Sequence, residues 1–290
     1  MSESVVTPRK PASIDAVVKR IDEISTLPQV ALNVIEITGD PNSGANDLKR
    51  VVEGDPALSS RVLRSVNSAA YSLRSKITSL QQAISYLGFS EIRNLALTAS
   101  VAKIFKKDEA IGSYHRTTLW RHMISVGICA RLIAMRLSLR NFEDCFLAGL
   151  MHDVGIILED QHVHPNFCEM IQSLSEGTTL VDAEQAHLGF DHTILGSRIA
   201  EQWKFPPLIQ AAIRYHHMGH NYRGEEARAI QCVEVANAIC TLKGITSIGR
   251  KLVKPSMDTF RALGLEKEDI LILATDLDDE ISRNECLFDT

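Results

Sequence analysis

The chain has 290 residues, 45% of them hydrophobic and 6% aromatic, and a formal net charge of −5. That length and apolar content support one large domain or two small ones with a real core. The charge balance lacks the basic excess that points to nucleic acid, and no apolar run approaches the ~20 residues of a membrane span.

The N-terminus, MSESVVTPRKPAS, is polar and has no apolar segment of the secretory kind, so a cytoplasmic location is expected. Residues 1–12 are expected to be disordered. From Ile14 to Phe105 the chain reads as short helices with clear punctuation. LPQV at 27–30 begins one helix and GDPNSG at 39–44 forms a turn. Asp55 before Pro56 places an N-cap ahead of a proline at the first helical position, where its missing N–H costs nothing. Leu58, Val62, Leu63 and Val66 then share a face as far as about Asn67. Asn67-Ser68 is read as a helix terminator. Thr78 with Gln81 fits a capping box, the helix it opens stops at Gly88, and Ser90 caps the next. A polar break at 106–113 suggests a boundary between a first helical subdomain, 13–110, and a second, 111–245.

Further helices are predicted at about 114–137, 142–153, 166–176, 180–187, 192–202, 207–218 and 226–242, with Gly155 as a stop after the second. Gly127 and Gly196 are read as packing positions. Two more helices are expected in a tail at 246–290. Its last part, Glu266–Thr290, carries nine acidic and two basic residues and is expected to be a solvated helix or a frayed end. Strand-like alternation is nearly absent, so the fold class is all-α. Cys129, Cys145, Cys168, Cys232, Cys240 and Cys286 lack C-x-x-C spacing and read as reduced, mostly buried thiols.

The histidines carry the chemistry. His122 shares a helix face with Leu119, Val126, Cys129 and Ile133 and so points inward. His152 and Asp153 close the apolar run LAGLMHDVGIIL, and burying such a charge is costly unless it is paired or bound to metal. His192 follows Asp191, a natural N-cap. His216 lies on the stripe of Ile209, Ala212 and Ile213, with His217 rotated about 100° from it. Singly, each is a core histidine satisfied by a carbonyl. Together, five imidazoles and one carboxylate suit Fe, Mn, Zn or Ni better than Mg or Ca. Spacing along the chain does not by itself bring the six together. His115, His162, His164, His187 and His220 lie in polar or turn-like context and are taken as surface residues.

The order His122, His152-Asp153, His192, His216-His217 resembles the HD phosphohydrolase superfamily, and most closely its HDOD branch, the HD-related output domain. The likeness is carried by LPQVALNVIEI, VVEGDPALSSRVLRSVNSAAY, ITSLQQAISYLGFSEIRNLAL, LWRHMISVGICARLIA, LAGLMHDVGIIL, LGFDHTILGSRIAEQWKFP and IRYHH, which span Leu27 to His217. The resemblance implies an all-helical, two-lobed fold with an HD-like second lobe. It implies a bacterial signalling or regulatory protein, many relatives of this type having lost HD catalysis. The HD enzymes require a further Asp from a later helix, and the matching place in VEVANAIC holds Asn237. HD-GYP cyclic-di-GMP phosphodiesterases carry a lysine where this chain has Ile156 and a glutamate where it has Thr118, and no GYP tripeptide occurs here.

By resemblance, then, the metal set is His122, His152, Asp153, His192, His216 and His217, with Thr118, Ile156 and Asn237 as degenerate positions. The expected function is a non-catalytic regulatory module with a signalling protein as partner and room for a small-molecule or nucleotide ligand. The alternative is a metal-dependent phosphohydrolase with His152 and Asp153 as catalytic candidates, acting through a metal-bound hydroxide. Nucleic acid is not an expected partner, since Arg61, Arg64, Arg74 and Lys76 read as a solvated basic face, and membrane insertion is not expected.

Overall fold

A computed structural model of the chain describes residues 13–24, 27–40, 42–71, 73–106, 109–175, 177–253 and 256–289. The expectation for residues 1–12 lies outside them. Six helices come first: α1 (Ile14–Ile24), α2 (Gln29–Gly39), α3 (Ala45–Glu53), α4 (Pro56–Val66), α5 (Leu80–Leu87) and α6 (Phe89–Val101). The only strands among the described residues, β1 (Ala110–Ile111) and β2 (Tyr114–His115), pair antiparallel at the polar break. Ten helices follow: α7 (Arg116–Arg136), α8 (Phe142–Met151), α9 (Val154–His162), α10 (His164–Ser173), α11 (Leu180–Leu188), α12 (His192–Gln202), α13 (Pro207–Tyr215), α14 (Ala227–Leu242), α15 (Met257–Leu263) and α16 (Lys267–Arg283). The protein is all-α.

In the first half, α6 is the hub. Its residues Ile92, Leu95, Ala96, Leu97 and Val101 are buried where α2, α4 and α5 pack around it. Asp55 caps α4, its carboxylate accepting from the Leu58 N–H at 3.0 Å, a contact worth about 1 kcal/mol. Asn67 ends that helix. Its amide donates to the Leu63 and Ile77 carbonyls at 2.7 and 2.9 Å and accepts from the Ile77 N–H. Two boundaries differ from the sequence reading, one by a residue and one by two. Ser79, not Thr78, caps α5 through the Gln82 N–H, and α6 starts at Phe89 straight after Gly88, whose φ of 87° only glycine adopts readily.

In the second half, α7 is the axis, with α8 and α14 against it. The α7–α8 crossing is backbone to backbone. A Cβ on Gly149 would stand 2.8 Å from the Gly127 Cα, and one on Gly127 would stand 2.9 Å from the Phe146 carbonyl. This close approach lets residues flanking the crossing, His122 on α7 and His152 at the end of α8, face one space. Gly155 does not stop the chain. The helix breaks earlier, at His152-Asp153, and α9 begins at Val154 with Gly155 in its first turn. Gly155 is there because α12 lies on it: a Cβ would meet the His192 carbonyl oxygen at 2.0 Å.

The acidic tail is not frayed. α16 lays Leu273, Leu277 and Ile281 against the core and packs on α7, with Asp276, Asp278 and Asp279 outward. All six cysteines are free, four of them buried. No helix among the described residues is long and apolar enough to cross a membrane.

Candidate metal centre

His152 ends α8 and Asp153 opens α9, so the pair occupies a helix junction at the centre of the second half, fully enclosed. α7 brings His122, the first turn of α12 brings His192, and the end of α13 brings His216 and His217. Asp191 fixes the entry to α12 by accepting from the Thr193 and Ile194 N–H groups at 3.0 and 3.1 Å. All six residues anticipated from the sequence thus meet around one carboxylate. Asp153 Oδ2 lies 3.4 Å from His122 Nε2 and 3.2 Å from His152 Nε2. Asp153 Oδ1 lies 3.5 Å from His192 Nε2 and 3.2 Å from His216 Nε2. His217 Nε2 is 3.1 Å from His192 Nε2.

The far sides of these rings decide what the near sides can do. His122 Nδ1 contacts the Ile245 carbonyl at 2.9 Å, His152 Nδ1 the Gly149 carbonyl at 2.7 Å, and His216 Nδ1 the Ile213 carbonyl at 2.9 Å. A carbonyl only accepts, so each Nδ1 carries the proton and each Nε2 presents a lone pair. His192 Nδ1 is held the same way by the Glu184 carboxylate at 2.7 Å, which also accepts the His192 backbone N–H at 3.1 Å. Burial pushes His216 down to about 4 and His217 well below the ordinary histidine value, the latter helped by neighbouring imidazoles.

Acceptors therefore face acceptors. His122 Nε2, His152 Nε2 and Asp153 Oδ1 are buried without a hydrogen-bond partner. Buried polar atoms left in that state cost free energy, and a cation removes the cost. Two donor sets share the carboxylate: His122, His152 and Asp153, and Asp153, His192, His216 and His217, with ligand atoms in each set within 4.8 Å of one another. Nε2 separations near 3 Å are those of imidazoles around an ion at about 2.0–2.1 Å. The donor set fits a transition metal, and the Nδ1 partners supply the fixed ring orientations such sites need.

Sequence reading missed Glu184 and Glu159. Glu184 lies on α11 four residues from both Leu180 and Leu188, an acid on an apolar stripe, and that spacing is the signal that marks it. Glu159, on α9, is fully buried with neither oxygen partnered. Burial pushes both carboxyls well up, helped at Glu159 by the charge of Glu184 and at Glu184 by that of Asp191. Of the remaining histidines, His115 is exposed and His164, His187 and His220 are partly buried, but His162 is buried. It ends α9, a helix that the Gly155 stop had hidden.

The three degenerate positions are Thr118, partly buried one turn before His122; Ile156, buried in the core of α9; and Asn237, buried on α14 with its Nδ2 unpartnered. One turn beyond Asn237, Thr241 lines a cavity of about 220 Å³ that reaches Asp153 and His217. Among the described residues of that lining, Asp153 is the only acid and Arg250 the only Lys or Arg.

Residues 24–218 match the HDOD domain. A solved HDOD domain protein of unknown function from Geobacter sulfurreducens is 25% identical, with a TM-score of 0.74, over 96% of this chain and 98% of that one. A candidate signal transduction protein from Marinobacter aquaeolei VT8 is 24% identical with a TM-score of 0.74, over 94% of this chain and 63% of that one. A candidate phosphohydrolase from Shewanella amazonensis SB2B is 20% identical with a TM-score of 0.69, over 94% and 97% of the two chains. The last two likenesses show the fold. An uncharacterized protein of Treponema pallidum (strain Nichols) is 22% identical over 226 residues. This chain spans 43% of the length of that curated relative.

Proposed function

The chain belongs to the HDOD domain family, and from that premise we propose that it is a regulatory module in bacterial signalling whose HD-type centre binds a transition metal without hydrolysing phosphoesters. The ligands are His122, His152, Asp153, His192, His216 and His217. The observation that carries this reading is the poverty of the adjoining cavity. Among the described residues its single carboxylate, Asp153, is engaged by four imidazoles, Arg250 is its one cation, and no second acid lines it to move a proton. Ile156, fully buried among apolar side chains, and Asn237, neutral, stand where the resemblance would put a cation and a carboxylate. In this role the metal ties α7, α9, α12 and α13 together, and the helical surface offers the state of that core to a protein partner. The division into subdomains 13–110 and 111–245, with the acidic helical segment 246–290 after them, belongs to the same reading.

A second reading keeps hydrolysis. One carboxylate shared by two donor sets is the arrangement that two-metal phosphoryl chemistry employs, a metal supplying the hydroxide. Metal analysis of the purified chain, followed by a panel of nucleotides, cyclic dinucleotides and phosphomonoesters, separates the two. Bound Fe, Mn, Zn or Ni is expected, lost in Asp153→Asn, with no turnover on any substrate. Turnover that disappears in Asp153→Asn and His152→Ala establishes the hydrolase instead.

A further inference from the structure

Four of the proposed metal ligands are oriented from behind, and three of the orienting groups lie on helices. These are the Gly149 carbonyl on α8, the Ile213 carbonyl on α13 and the Glu184 carboxylate on α11. The fourth does not. His122 Nδ1 donates to the Ile245 carbonyl at 2.9 Å, and Ile245 lies beyond the end of α14, in a segment without regular structure.

That segment, residues 244–253, is held at few points. Thr246 and Ile248 are buried. Among the described residues, no backbone amide from Thr246 to Lys251 donates to a backbone carbonyl. A stretch with so few backbone bonds opens at low cost. Gly249, at φ +74°, lies so close to the turn of the β1–β2 hairpin that a Cβ would meet the Ser113 carbonyl oxygen at 2.1 Å. The hairpin leads straight into α7, which carries His122. On the outer face the exposed Arg250 and Lys251 donate to the Leu174 and Leu242 carbonyls at 2.7 and 3.1 Å.

We infer that residues 244–253 are a metal-gated strap: a loaded histidine centre locks them onto the hairpin, and an empty one lets them open. The physical link is the His122 ring. A cation on Nε2 draws electron density from the imidazole and makes Nδ1–H a stronger donor to the Ile245 carbonyl. An outer partner of this kind is worth about 10–100-fold in metal affinity. Coupling between two equilibria is reciprocal, so bound metal makes opening of the strap rarer by the same factor. The other two carbonyls and Glu184 move only with a helix, which leaves Ile245 as the outer partner that a small opening releases. The inference rests on the metal binding of the regulatory reading, and names the segment through which the state of the centre reaches the surface.

Trypsin cleavage after Arg250 and Lys251, followed by mass spectrometry on the full chain, tests it in Zn²⁺-loaded and chelator-treated protein. Cleavage of a seated segment proceeds through its opened form. Zn²⁺ is expected to slow both cuts by ~10–100-fold, while cuts after Arg74 and Lys76, exposed in the first half, keep their rates. Gly249→Ala puts a Cβ against Ser113. It is expected to be cut faster in the strap and to bind Zn²⁺ ~10-fold more weakly, although Gly249 lies outside the proposed ligand set. Gly264→Ala is the matched control: its φ is +69° but its Cβ position is open, and it is expected to keep the parent's Zn²⁺ affinity. Circular dichroism confirms the fold of each variant. Bound Zn²⁺ that leaves the strap cuts unchanged, or slows every cut alike, overturns the inference and leaves the regulatory reading standing. Gly249→Ala that is cut faster yet binds Zn²⁺ as tightly as the parent does the same. A chain that binds no metal overturns both.

Discussion

Glu184 touches no proposed metal ligand atom, yet it governs one. Its carboxylate takes both the Nδ1 proton and the backbone N–H of His192, so it fixes the tautomer and the ring plane of a residue that opens a helix. Outer partners of this kind are worth about 10–100-fold in metal affinity. Glu184→Gln keeps the volume but offers one acceptor oxygen in place of two. Metal affinity, measured by competition with a chromophoric chelator, is expected to fall by roughly that factor. The metal-free protein should melt no lower, because burial beside Glu159 already pushes the Glu184 carboxyl well up and a neutral side chain relieves that cost. Unchanged metal affinity would reduce Glu184 to a packing residue. The six proposed ligands were legible from the sequence because each lies on an apolar stripe or beside a cap, where a polar side chain has to be explained. Glu184 and Glu159 lie on such stripes too. They drew no notice because a glutamate in a helix is ordinary, and only the fold shows that α9 and α11 turn these two inward.

At the scale of elements, the junction between α8 and α9 shapes the site, and here the sequence misled. A glycine after an apolar helix commonly marks its end, so the pattern predicts a stop at Gly155 and hides α9. The fold uses the same residue for close approach: α12 crosses α9 with the His192 carbonyl against the Gly155 Cα. Periodicity within one helix carries no information about such a crossing, because the constraint comes from a segment almost forty residues away. Gly155→Ala is therefore expected to do two things together. It should destabilise the fold by about 3 kcal/mol through overpacking, seen as a lower midpoint in urea unfolding with an unchanged slope. It should also weaken metal binding, because α12 cannot move off α9 without carrying His192. Loss of stability with metal affinity intact would separate the crossing from the site. The all-α class and most helix positions were readable because amphipathic stripes and caps are local. The small shifts at Ser79 and Phe89 arise where neighbouring residues compete for the same cap.

Across the whole molecule, the two halves and the C-terminal helix share a polar cluster that no segment of sequence announces. Arg131 on α7 faces Glu91 of α6 at 3.4 Å, Glu143 of α8 at 3.9 Å and Glu280 of α16 at 3.6 Å. Asn94 of α6 donates to the Glu143 carboxylate at 2.9 Å, and Tyr71 donates its hydroxyl to Glu91. Three carboxylates around one guanidinium leave negative charge in excess. Burial first, and then the Glu91 carboxylate, push Glu143 up from 4.5 to about 8, against the pull of Arg131. Between those two values the folded chain keeps a proton that the unfolded chain has released. Stability contributed at this site is whole below pH 4.5 and declines as pH rises toward 8, by at most ~1.4 kcal/mol per pH unit. Thermal unfolding from pH 5 to 8 should therefore show a falling midpoint, shallower in Glu143→Gln, which keeps a neutral side chain at every pH. Glu159 and Glu184 slope the same way, so the difference between parent and variant carries the assignment. Parallel slopes would place the proton elsewhere. A shallower slope would show that α6, α7, α8 and α16 meet in solution around a carboxyl that stays protonated at neutral pH, and that the helical body and the acidic tail unfold as one.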